Sequence, residues 1–147
     1  FLDGGAAHSI QEAILEILTP EQANHEAQSI QACFGPKRDY MLSRLAAMGL
    51  QQQPHAQQQF VGGFYCFVDL SALPESLRDG EDFFRHALAK KVICVPGCYF
   101  DVNPGSRRPR NLSRLRNFVR LSFGPGQAEI TRGLDAIEAM IKQHSSS

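Results

Sequence analysis

The chain has 147 residues, and its 15 Lys+Arg balance its 15 Asp+Glu, so no net field draws nucleic acid or an anionic membrane surface. With 43% apolar and 20% charged residues it has the make-up of a soluble globular domain, and no apolar run is long enough to span a bilayer. The four cysteines, at 33, 66, 94 and 98, lack metal-ligand spacing: Cys94 and Cys98 form C-x₃-C across a Pro-Gly turn with no second pair. No metal site is expected, and reduced thiols in a cytoplasmic protein are the simpler reading.

The first residues, "FLDGGAAHSI", have neither the basic nor the apolar region of a signal peptide and read as a chain joined in mid-course. Asp3-Gly4-Gly5 reads either as a tight turn and nothing more or as a place where two glycines allow close approach to a ligand or another chain. Ser9 and Glu12 have capping-box spacing ahead of Ile10, Ala13, Ile14 and Ile17. Thr19 and Gln22 repeat the pattern, with Pro20 at the first helical position, where its missing N–H costs nothing. A helical stripe follows through Ala23, Ala27, Ile30 and Phe34. Gly35-Pro36 should break or kink it before the spacing resumes at Tyr40, Met41, Leu45 and Met48. Gly49 is a natural C-cap. The pattern predicts one long bent helix or two helices end to end.

Residues 51–59, "QQQPHAQQQ", read as a solvated polar loop. "GGFYCFVDL" at 62–70 is apolar on both faces, which predicts a central strand. "EDFFRHALAKK" predicts a helix beginning near Asp79, and "VICV" a short buried strand ending at Pro96-Gly97. The loop at 103–116 holds Arg107, Arg108, Arg110, Arg114 and Arg116. It is either a phosphate-binding patch or a solvated excursion between strands, balanced by the carboxylates of the helices. Zero net charge and no interleaved aromatic residue favour the excursion. The five histidines, at 8, 25, 55, 86 and 144, form no metal-binding pair. "NFVRLSFGPG" then places Val119, Leu121 and Phe123 on one strand face, and Phe118, Arg120 and Ser122 on the other. A last helix carries Ile130, Leu134, Ile137 and Ile141 on one side.

No period repeats, and the order of elements predicts an α/β two-layer sandwich: three to four strands covered on one side by helices. Val119, Leu121 and Phe123 would face the helices. Arg120 would point away, to water or to a partner surface.

Several motifs in order resemble the C-terminal part of pyridoxal-phosphate-dependent aminotransferases of fold type I: "FLDGGAAHSIQEA", "KRDYMLSRLAAMGL", "GGFYCFVDLSALP", "FFRHALAKKVICVPGCYF" and "NFVRLSFG". The resemblance covers residue 1 to about 141. It implies a tail of the large domain with a first connecting helix over 1–19, and a C-terminal small domain led by a long interdomain helix over 20–147. It gives Arg120 the role of binding the α-carboxylate of the amino-acid substrate. It brings Asp3, Gly4 and Gly5 toward the cofactor phosphate of a neighbouring subunit. It implies a homodimer that moves an amino group between an amino acid and a 2-oxo acid, with pyridoxal 5'-phosphate held through a Schiff-base lysine of the large domain. None of the chain's four lysines, Lys37, Lys90, Lys91 and Lys142, resembles that lysine. No catalytic residue is therefore assigned here, and the chain alone is not expected to hold the cofactor. A free-standing α/β ligand-binding or regulatory domain without catalysis is the alternative. A nucleic-acid-associated protein using the arginine loop is a third, more distant one.

Overall fold

A computed structural model of the chain describes residue 5 and residues 7–52, 63–103 and 107–145. They fall into two compact units, Phe1–Pro36 and Lys37–Ser147.

In the first unit, helix α1 spans His8–Ile14. The carbonyl of Ala7 accepts from the N–H groups of Ile10 and Gln11, at 3.0 and 3.1 Å, so Ala7 is the N-cap. Ser9 therefore lies inside the first turn and does not cap, contrary to the expected box. Helix α2 spans Pro20–Ala47. Here the expected cap forms: the Thr19 hydroxyl accepts from the Gln22 N–H at 3.2 Å. The helix runs on through Pro36 as one element. Proline removes one backbone bond, and Met41 and Leu45, buried just downstream, hold the continuation.

The second unit begins at Lys37, within α2. Gly49 ends that helix at φ +76, with the Leu50 N–H returning to the Leu45 carbonyl at 3.0 Å. Four strands follow: β1 (Gln51–Gln52), β2 (Tyr65–Asp69), β3 (Val95–Pro96) and β4 (Phe118–Ser122). They make one antiparallel sheet in the order β1-β2-β4-β3. The first two glutamines of the expected loop are thus an edge strand, and 53–59 lie outside the described residues. Pro96 sits on the opposite edge strand, where a missing N–H breaks no ladder. The preceding Val92, Ile93 and Cys94 lie outside the strand, so the "VICV" strand is shorter than expected. The chain leaves the helix over Gly80–Ala89 (α4) through Lys91 at φ +62, and the Val92 N–H closes back onto the Ala87 carbonyl at 2.9 Å. That turn leaves Ile93 80% exposed.

Helices α3 (Glu75–Arg78), α4 (Gly80–Ala89) and α5 (Gln127–Ser145) complete the unit. Asp79 caps α4, its carboxylate accepting from the Glu81 N–H at 2.9 Å. The sheet presents Cys66, Val68, Val119, Leu121 and Phe123 to a core that also holds Phe83 and Ala87 of α4 and Ile130, Leu134 and Ile137 of α5. Met140, not Ile141, completes the buried stripe of α5. The architecture is the α/β sandwich expected, with helices on one side of the sheet. No helix among the described residues is long and apolar enough to cross a membrane.

Backbones meet at closest range where α4 and the turn after β3 press on the lead-in to β4. The Gly80 N–H donates to the Arg116 carbonyl at 2.7 Å. A Cβ on Gly97 would lie 2.8 Å from the Phe118 Cβ and 2.9 Å from its carbonyl oxygen, and would overlap the carbonyl of Leu115. Only glycine fits there.

Candidate functional site

The sheet face turned from the core carries Tyr65 and Phe67 of β2 with Phe118, Arg120 and Ser122 of β4. Phe67 and Val95 flank Arg120 in the strand register. Val119, Leu121 and Phe123 are 0%, 5% and 1% exposed, as alternation requires, whereas Arg120 is half-buried. The Arg120 Cζ lies 4.0 Å from the centroid of the Tyr65 ring and 4.7 Å from that of Phe100. Phe100 closes the short 3₁₀ turn Gly97–Phe100 that follows β3. Around this pair, Phe67 stacks on Phe118 at 5.4 Å and 10° and meets Phe100 edge-on at 5.8 Å and 83°.

Among the described residues no carboxylate pairs with Arg120, which sets it apart from the other partly covered arginines. Arg44 binds Asp135 at 2.7 Å, Glu138 at 3.0 Å and the Tyr40 hydroxyl at 2.9 Å. Hydrogen bonding to Asp135, then Tyr40, holds the Arg44 guanidinium above its ordinary range. Arg108 binds Asp101 at 3.0 Å. By contrast Arg107, Arg114 and Arg132 are simply exposed.

The arginine-rich loop braces this site. Asp101, directly after Phe100, accepts from the Ser113 hydroxyl at 2.8 Å and from the Arg114 N–H at 3.3 Å, as well as from Arg108. The Ser113 bond, followed by Arg108, holds the Asp101 carboxyl below the usual carboxylate range. Arg116 faces Asp79 at 3.6 Å. Arg108 and Arg116 are thus balanced by carboxylates, though by Asp101 and Asp79 at helical ends and not by residues within the helices.

Of the other residues singled out, Gly5 is exposed with φ +104, while Asp3 and Gly4 lie outside the described residues. The cysteines are free. Cys66 and Cys94 are buried, and loss of water pushes the Cys94 thiol up to about 12. No group of three or more His, Cys, Asp or Glu that could hold a metal ion comes together among the described residues. Tyr65 and Phe100 are the site residues that sequence reasoning passed over. Tyr65 had a signal, since it shares a strand face with Phe67. Phe100 had none, because a turn delivers it from across the sheet edge.

Neither a protein-family model nor a curated protein sequence matches the chain. Solved structures do. An aminotransferase from Mycobacterium tuberculosis superposes with a TM-score of 0.67 at 26% identity, over 89% of this chain and 30% of that one. The aromatic aminotransferase from Pyrococcus horikoshii gives 0.69 at 19% identity, over 94% and 32%. The alpha-aminoadipate aminotransferase LysN from Thermus thermophilus, complexed with N-(5'-phosphopyridoxyl)-L-leucine, gives 0.63 at 20%, over 93% and 30%. The fold is that of an aminotransferase small domain. The chain spans about 30% of the length of these enzymes.

The groups found beside Arg120 are not ones that would hold a pyridoxal phosphate as a Schiff base. The side chains that touch Arg120 are rings, not amines. Lys142 pairs with Glu138 at 2.6 Å, and Lys37 donates to the Gly124 carbonyl at 3.5 Å. Lys90 and Lys91 line a cleft of about 590 Å³ floored by core residues such as Leu121 and Ile130. No step is assigned to the cofactor on this chain.

Proposed function

We propose that the chain is the small domain of a pyridoxal-phosphate-dependent aminotransferase, moving an amino group between an amino acid and a 2-oxo acid, and that Arg120 binds the substrate α-carboxylate. One observation carries the assignment: a half-buried guanidinium held by rings, with no carboxylate of its own among the described residues. Its planar fork offers parallel N–H donors to a carboxylate, which fixes orientation as well as charge. Anchoring that end of an amino acid places its amino group before reaction and removes translational and rotational freedom. The cofactor and its lysine belong to the rest of the enzyme, a cytoplasmic homodimer with active sites at the subunit boundary. Asp3-Gly4-Gly5 approaches the neighbouring subunit's cofactor phosphate.

The test is Arg120→Ala in the full-length protein that contains this chain. Loss of a desolvated, bidentate partner costs about 2–5 kcal/mol, or about 30- to several-thousand-fold in kcat/KM for an amino acid. The decarboxylated amine, which never used the contact, is expected to change little. Arg120→Lys restores only part of the loss, since a point charge cannot reproduce the fork. Equal losses for amino acid and amine, or a collapse of the melting temperature, would make Arg120 structural.

A further inference from the structure

We propose that Tyr65 and Phe100 are positioning residues that fix the plane of the Arg120 guanidinium and leave its N–H edge free for a planar two-oxygen anion; the role of that anion as substrate rests on the function proposed above. The rings arrive from opposite flanks of β4. Tyr65 comes from β2 and Phe100 from the turn after β3, and the sheet order places those two strands on either side of β4.

A strand arginine standing alone samples many rotamers, and ordering it on ligand binding opposes affinity. The other partly covered arginines are held by carboxylates, as Arg108 is by Asp101. Such a clamp consumes the donors a ligand would need. Ring contacts hold the π-face of the guanidinium and leave the in-plane N–H groups unspent. Both rings are themselves packed: Tyr65 lies against Phe64, with centroids 4.3 Å apart. Phe100 is met edge-on by Phe67, which stacks on Phe118. Asp101, next in the chain to Phe100, is tied to Ser113 at 2.8 Å. The Tyr65 hydroxyl makes no hydrogen bond among the described residues, so the ring is the working part.

The contact is checked first in solution, by the Arg120 Nε–H resonance of the full-length protein, assigned through its loss in Arg120→Lys. Ring-current displacement in the wild type that relaxes in Tyr65→Leu and Phe100→Leu is expected. A signal at the position of a free arginine in the wild type overturns the proposal. The second arm is kinetic. Each leucine variant is expected to raise KM for the amino acid by about 2- to 30-fold, the span of one cation–π contact. Little change in kcat is expected, and little change for the decarboxylated amine. Tyr65→Phe, which keeps the ring, should stay near wild type. If Arg120→Ala weakens the amino acid but the leucine variants do not, or if Tyr65→Phe is as poor as Tyr65→Leu, positioning is wrong and carboxylate binding stands. If Arg120→Ala itself spares the amino acid, both fall, whatever the resonance shows.

Discussion

Gly97→Ala isolates the closest backbone approach in the fold. The added methyl would stand 2.8 Å from the Phe118 Cβ and 2.9 Å from the Phe118 carbonyl, and would overlap the Leu115 carbonyl. Ordinary contacts of this kind begin beyond about 3.4 Å, and the obstructing atoms belong to the backbone or to a Cβ rigidly attached to it. No rotamer change can relieve them, so the turn or the lead-in to β4 has to move. Overpacking of a rigid site costs about 1–3 kcal/mol and occasionally more. With two carbonyls and a Cβ all in the way, we expect about 3 kcal/mol, or a fall of about 10 °C in Tm for a chain of this size. Gly133→Ala is the matched control: it adds the same methyl in α5, where nothing lies within 4 Å. There the substitution should raise stability by about 0.5–1 kcal/mol through helix propensity and a less mobile unfolded chain. Urea titrations of the three proteins give the comparison. If Gly97→Ala loses less than 1 kcal/mol, or the two variants shift in the same direction, close approach is not what Gly97 provides.

Gly49→Ala should cost about 1 kcal/mol although space is open around it, because φ +76 strains any L side chain; denaturant midpoints check this. Asp101 titrates below its unfolded value, so its contribution is present above the ordinary carboxylate pKa and is lost as pH falls through the folded one. Asp101→Asn is accordingly expected to lower Tm at pH 7, with the gap to wild type narrowing below about pH 4. Alkylation at pH 8 should label exposed Cys33 rapidly and leave Cys94 unreacted until the protein unfolds, since its thiol is buried and titrates near 12. Peptide mapping of the labelled sites decides.

Strand alternation and helix-start chemistry made much of the fold legible. The alternation in β4 separates Val119, Leu121 and Phe123 from Arg120, and the structure buries those three and half-exposes the arginine. Thr19 was readable as a cap and Asp79 as the start of a helix, and both supply the oxygen that a helix start needs for its unpaired N–H groups. Ser9 misled because the same pattern can sit one turn position late when a backbone carbonyl, here Ala7, opens the helix first. At Pro36 the local pattern left a single bent helix and two helices end to end both open, and α2 takes the single course. A single lost bond is a local matter, and burial of Met41 and Leu45 is a tertiary one that no local rule weighs. Arg120 itself was visible as the one charge in an apolar strand. Its surroundings were not, since the ring of Phe100 is 20 positions away in the sequence and reaches it only through sheet order.

The Val-Pro-Gly stretch shows how closely stability and site are joined in this fold. Val95 pairs with Arg120, setting the register of the edge strand against β4. Pro96 ends that strand on an edge where no donor is needed, and Gly97 lets the chain turn tightly over the Leu115 and Phe118 carbonyls. Three residues later the same turn delivers Phe100 to the guanidinium at 4.7 Å. A methyl at Gly97 therefore displaces the turn that carries one of the two rings, and it pushes on the segment that enters β4. Stability and the placement of Arg120 should fail together in Gly97→Ala, whereas Gly49→Ala, strained at the end of α2, should lose stability while leaving the Arg120 Nε–H resonance where it is. Separate behaviour of the two glycines is what distinguishes a turn built to hold a ring from one that only closes the sheet.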